Sequence, residues 1–227
     1  MKKQIIAFSL GGFSTEGYPS VVDKYILEQC DKEVPSICFL PHTTDDAMRY
    51  SQKFFENFSK YNAKLSWLSL FKPQSDDIED YLLSKDIIYV GGGNTKSMLA
   101  LWKEWNVDSI LKKAYDNGTI LCGISAGAIC WFDYGYSDSI LNNYIELKGL
   151  GILEGILNVH QKEQGSREQE FEKIVYNHNI GYGLQDNMVL HFVNANLYKA
   201  FSIDNSSKGY VYKNNKKEEI ELSKIWR

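Results

Sequence analysis

No stretch of this 227-residue chain stays apolar for anything near the ~20 residues a membrane-spanning helix needs. Nor is there a basic surplus: 25 Lys and Arg against 29 Asp and Glu leave a formal charge of −4, which disfavours nucleic acid or an anionic membrane as partner. The basic run from Lys213 to Lys217 is diluted by Asn214 and Asn215 and followed by Glu218 and Glu219, as in a solvated turn. The four cysteines (Cys30, Cys38, Cys122, Cys130) show no Cys-x-x-Cys spacing, and three of them sit in apolar segments as buried thiols do. A metal centre is therefore not expected, and a reducing compartment fits best. Internal repeats, linkers and low-complexity segments are also missing. Both phosphate-binding glycine signatures fail: in Gly91-Gly92-Gly93-Asn94-Thr95 the last glycine of a dinucleotide loop is replaced by Lys96, and no Gly-Lys-Ser/Thr occurs. No cofactor is required.

What is present reads as one α/β domain over residues 1–227. The first ten residues place lysines before an apolar run, like a signal peptide. The run is short, however, and Gly11-Gly12 follows without a small-residue cleavage site, so a first strand of a cytoplasmic protein is expected. Apolar strand-like runs at 3–10, 36–40, 63–68, 87–90 and 119–124 alternate with helical spacing at 21–30, 45–61, 76–83, 96–105 and 107–117. That rhythm predicts a three-layer, mostly parallel sheet with helices on both faces and a ligand crevice at the strand C-termini. After residue 130 the rhythm changes. A loop is expected over 135–143, a short strand at 156–159, a charged helix at 164–177, and β-like pieces at 183–193, 197–203 and 209–212 forming a hairpin-rich C-terminal edge.

The chemistry centres on Gly123-Ile124-Ser125-Ala126-Gly127. Gly-x-Ser-x-Gly between an apolar strand and a small-residue helix start is the pattern of a nucleophile elbow. Its small neighbours relieve crowding around a strained serine, and the helix start offers free N–H groups to an oxyanion. The glycine turn at 91–93 suits a second set of oxyanion donors, or simply a tight turn. A serine nucleophile needs a base, and four histidines compete. His160 ends a strand and opens a polar loop, which favours it; His191 is the reserve, His42 could line the site, and His178 has the surroundings of a helix end. For the carboxylate that orients the base, spacing alone leaves Asp133, Asp138 and Asp186 open.

Four motifs in order carry a resemblance: Tyr89-Val90-Gly91-Gly92-Gly93-Asn94-Thr95, Gly123-Ile124-Ser125-Ala126-Gly127-Ala128, His160 followed by Ser166-Arg167-Glu168-Gln169, and Gly183-Leu184-Gln185-Asp186. Together they resemble the peptidase E (aspartyl dipeptidase) and cyanophycinase family of serine peptidases, from the first strand to about Val193. The resemblance implies a fold related to class I glutamine amidotransferases, flavodoxin-like, with serine in place of their cysteine. It implies Ser125 as nucleophile, His160 as base and Asp186 as orienting carboxylate, where the family commonly has Glu. Gly92 and Ala126 would supply the oxyanion hole, with Gly91, Gly93, Asn94 and Arg167 against the substrate. Arg167 would hold an acidic P1 residue. The expected partner is a small peptide, and the expected assembly a monomer or homodimer. Two rival readings are an esterase using Ser125, His160 and Asp133 or Asp138, and a non-catalytic relative that binds a small amino-acid-like ligand.

Overall fold

The computed structural model describes residues 2–162 and 164–224. Numbered in chain order, its strands are β1 Gln4–Phe8, β2 Ser36–Leu40, β3 Lys64–Trp67, β4 Ile87–Val90, β5 Ile120–Ile124, β6 Phe132–Ile140, β7 Asn143–Lys148, β8 Leu153–Asn158, β9 Gly181–Leu184, β10 Met188–Val193, β11 Asn196–Ser202, β12 Gly209–Lys213 and β13 Lys216–Glu219. The first sheet has the order β11-β10-β1-β5-β4-β2-β3. Its five early strands are parallel, and β10 and β11 add antiparallel at one side. Successive side chains of a strand point to opposite faces, and the chain uses both. Ile6, Phe8, Phe39 and Tyr89 pack with Phe13, Ile26, Phe54 and Phe58 from the helices on one side. Ile5, Ala7, Leu40 and Val90 pack with Met98, Trp102 and Leu111 on the other. The architecture is α/β with helices on both faces of this sheet, as the alternating pattern predicts.

The region after residue 130 differs from expectation. Six strands form a second sheet of order β13-β12-β9-β8-β6-β7, and only β10 and β11 extend the first. Its inner face joins the first sheet's core through Phe132, Leu153, Leu157 and Tyr182. Residues 135–140, expected as a loop, belong to strand β6. Gly135 misleads there because it reads as a turn residue, whereas a Cβ at that position would lie 2.0 Å from Ile129 Cγ2. It is a close-approach glycine inside a strand. The single β-like piece expected at 183–193 is two strands in different sheets, β9 and β10, with residues 185–187 as the crossing. The basic run near 213 is the β12–β13 hairpin turn, with Asn214 and Asn215 at positive φ.

Candidate active site

Strand β5 runs between β1 and β4 and is followed directly by Ser125, whose N–H donates to Phe8 O at 2.8 Å. Ser125 has φ 54 and ψ −110, a sparsely populated conformation, and it heads the short helix Ala126–Ile129. The flanking glycines make the turn possible. A Cβ on Gly123 would sit 2.3 Å from Gly127 O, and one on Gly127 would sit 2.4 Å from Val90 O. The serine therefore stands at the C-terminal end of the central parallel strands, beside the glycine turn that follows β4.

Ser125 Oγ lies 2.8 Å from His160 Nε2, and His160 Nδ1 lies 2.6 Å from Asp186 Oδ1. A carboxylate only accepts, so Nδ1 carries the proton and Nε2 is free to accept from the serine hydroxyl. His160 follows β8 with φ 58, and Asp186 sits in the crossing between the sheets. That crossing is tied down from three sides. Ser9 Oγ donates to Gln185 O at 2.6 Å, Gln185 N–H donates to Lys208 O at 3.0 Å, and Asn187 Nδ2 donates to Asp204 Oδ2 at 2.9 Å. Asp204 itself is held far below the usual carboxylate range by the Ser202 hydroxyl and the Ser206 and Ser207 N–H groups, which outweigh its partial desolvation. From this crossing the Asp186 side chain reaches His160 directly.

The remaining histidines are engaged elsewhere. His42 lines the same cleft, but Trp102 Nε1–H donates to its Nδ1 at 2.9 Å and its Nε2–H donates to Leu68 O at 3.0 Å. His191 lies between the Tyr25 hydroxyl (2.8 Å) and Gln4 Oε1 (3.1 Å). Burial pushes the pKa of both rings down to about 4, so they are neutral members of the core. His178 pairs with Glu146 at 3.1 Å. Among the other carboxylates, Asp133 accepts from Gly155 N–H at 2.9 Å and Asp138 lies against Arg167 at 3.4 Å.

Ser125 and His160 open onto a cleft of about 1520 Å³, also lined by Gly92, Gly93, Asn94 and Tyr50. The glycine turn is held rigidly. Thr43 Oγ1 donates to Gly92 O at 2.5 Å, and Gly92 N–H donates to the Tyr50 hydroxyl at 3.1 Å. The Gly92 N–H expected to face an oxyanion is thus bonded to a phenol. Gly93, at φ 143, occupies a conformation that favours glycine, and Gly91 packs under the Tyr50 ring. Asn94 caps the helix Thr95–Glu104 through Ser97 N–H and donates to Ser139 O, so both ends of its amide are used. Arg167 is not among the cleft's lining residues. The residue is 8% exposed, and its guanidinium is bonded to Asn158 Oδ1, Tyr136 O and Asp138. Sequence reasoning missed Thr43 and Tyr50. Tyr50 stands one helical turn before Phe54 on the apolar stripe, a signal for packing that carries no hint of its hydroxyl's partner.

Comparison with known proteins gives a family and a fold. The model of Peptidase family S51 matches residues 5–199. The uncharacterized peptidase YgaJ of Bacillus subtilis (strain 168) is 43% identical over 210 residues, which is 92% of this chain and 91% of that protein. Two solved structures share the fold. One is a peptidase from an acI-B1 Actinobacterium, with TM-score 0.72, 13% identity, and 99% and 96% of the two chains covered. The other is a Listeria monocytogenes EGD-e protein provisionally assigned to peptidase E, with TM-score 0.66, 17% identity, and 89% and 100% covered.

Proposed function

The chain belongs to peptidase family S51, and on that premise we propose that it is a serine peptidase hydrolysing small peptides through an acyl-enzyme on Ser125. The observation that carries this reading is the unbroken hydrogen-bonded line Asp186–His160–Ser125 at the wall of the cleft. Ser125 Oγ attacks the peptide carbonyl carbon as its proton passes to His160 Nε2. The Nδ1–H stays on Asp186, which supports the imidazolium without taking its proton. Ala126 N–H heads a helix that does not use it, and it is one oxyanion donor. Because Gly92 N–H is engaged by Tyr50, we assign the second donor to Gly93 N–H, the next along the turn. One such donor contributes ~10²–10³ in turnover. The imidazolium then gives its proton to the leaving amine. A water deprotonated by His160 attacks the ester carbonyl and releases the acid and the free serine.

Recognition of a substrate carboxylate falls to Arg49 in this scheme, not to Arg167. Arg49 lines the cleft from the first turn of the helix Ala47–Phe58, and its guanidinium makes no hydrogen bond or ion pair among the described residues. A planar guanidinium suits bidentate binding of a carboxylate.

The test is intact-mass analysis after a fluorophosphonate probe, on wild type and Ser125→Ala, alongside a dipeptide library. One adduct per chain on the wild type and none on the variant is expected, together with hydrolysis that the variant loses. A folded wild type that takes no adduct and hydrolyses nothing in the library would sink the proposal and favour the ligand-binding alternative.

A further inference from the structure

The helix Ser166–Ile174 buries two ionised residues in its first turn, Arg167 and Glu168, at 8% and 3% exposure. Buried charges need partners, and theirs lead step by step to His160. Arg167 Nε–H donates to Asn158 Oδ1 at 2.8 Å, and Asn158 Nδ2–H donates to Gln161 Oε1 at 3.0 Å. Gln161 Nε2–H donates to Glu168 Oε1 at 2.8 Å and to the Tyr212 hydroxyl at 3.0 Å. The polarity of this chain is fixed at both ends, because a guanidinium can only donate and a carboxylate can only accept. Each amide in between therefore has one orientation in which every link joins a donor to an acceptor. Gln161 is the residue after His160, and its own N–H donates to Leu184 O at 2.9 Å, two residues before Asp186. The second Glu168 oxygen accepts from Gln164 N–H at 2.6 Å, and Lys217 pairs with Glu168 and with Glu172.

We propose that Glu168 is a positioning residue for His160. Acting through Gln161, it holds the left-handed His160 backbone so that one ring nitrogen faces Ser125 and the other Asp186. Arg167 and Asn158 form the other half of the same clamp, which explains an arginine in this motif without a substrate contact. The kinetic consequence rests on the serine-peptidase reading; the claim about the His160 ring does not.

Glu168→Gln is the informative variant. It keeps the volume, and Lys217 retains Glu172, but one acceptor replaces two, so either Gln161 or Gln164 N–H must face another N–H. Two readouts are taken. One is the labelling rate of Ser125 with a fluorophosphonate, with kcat and KM on a cleaved peptide. The other is the downfield proton resonance of the His160–Asp186 bond, assigned by its loss in Asp186→Ala. Labelling should slow by ~10- to 100-fold, the cost of displacing a reacting group by about 1 Å. KM should stay unchanged because Glu168 does not line the cleft, and the resonance should shift or broaden. Gln161→Met, which breaks the same link from the other side, should behave alike and serves if Glu168→Gln fails to fold. Wild-type labelling and an unmoved resonance in a folded variant would overturn the proposal, even with a lowered Tm. A resonance that responds in a protein whose wild type is never labelled and cleaves no peptide in the library would refute the peptidase reading and leave the positioning role supported.

Discussion

Replacing Asp186 with asparagine tests the proposed triad most directly, because the change keeps side-chain volume while removing the charge and turning one acceptor oxygen into an N–H donor. The 2.6 Å contact to His160 Nδ1 is short enough for a charge-assisted hydrogen bond. Such bonds contribute about 1.5–3 kcal/mol, and at about 1.4 kcal/mol per tenfold in rate that converts to roughly 10- to 150-fold. The Asp186 side chain is 44% exposed, so water competes for the same proton and screens the charge. A fully enclosed aspartate in a comparable triad costs ~10⁴ when changed to asparagine; exposure places this one far below that. We therefore expect kcat/KM to fall ~10- to 100-fold, mostly in kcat, with the fold intact by circular dichroism and Tm. The assay is hydrolysis of the best dipeptide from the library, with fluorophosphonate labelling run in parallel. A variant within twofold of wild type would refute the role of Asp186. A variant as inactive as Ser125→Ala would refute the screening argument.

Three further outcomes follow, one from a buried carboxyl and two from side chains of the cleft. Asp23 is buried with Oδ2 unpartnered, and burial, reinforced by the nearby Glu16 charge, pushes its pKa from 3.8 up to about 8. A raised pKa means the native state keeps a proton that the unfolded chain releases, so its stability contribution is full below pH 3.8 and declines as pH rises toward 8. Asp23→Asn should accordingly be more stable than wild type at pH 8, by no more than about 6 kcal/mol, with the gain vanishing near pH 4; an equal Tm difference at both pH values would refute this. Tyr50→Phe leaves Gly92 N–H without its acceptor, a loss of about 1–3 kcal/mol, which calorimetry should show as a Tm lowered by roughly 2–12 °C; an unchanged Tm would mean the hydroxyl supports nothing. Arg49→Ala should raise KM for peptides with a free carboxylate at least tenfold and leave the esterified peptides unaffected, and an equal effect on both would remove Arg49 from substrate recognition.

Much of the local structure is legible in the chain itself. The strand, turn and helix around Ser125 follow from apolar residues meeting Gly123 and Gly127, since only small residues fit where Gly127 backs onto Val90 O. The parallel half of the first sheet follows from apolar runs alternating with amphipathic helices, both of which are short-range patterns. Family resemblance, not spacing, singled out Asp186 from Asp133 and Asp138. What tertiary structure alone decided is which distant groups meet. Glycine at 135 and the short pieces after residue 150 carry no local mark of their partners, so the second sheet emerges only when β6, β8 and β9 pair across intervening segments. Likewise His42 and His191 differ from His160 through Trp102, Leu68, Tyr25 and Gln4, none of them neighbours in sequence. The resemblance gives Arg167 a substrate carboxylate to hold; folding surrounds it instead with Asn158, Tyr136 and Asp138. A side chain's role depends on the partners its burial forces on it, and those partners are set by long-range packing, not by the residues beside it.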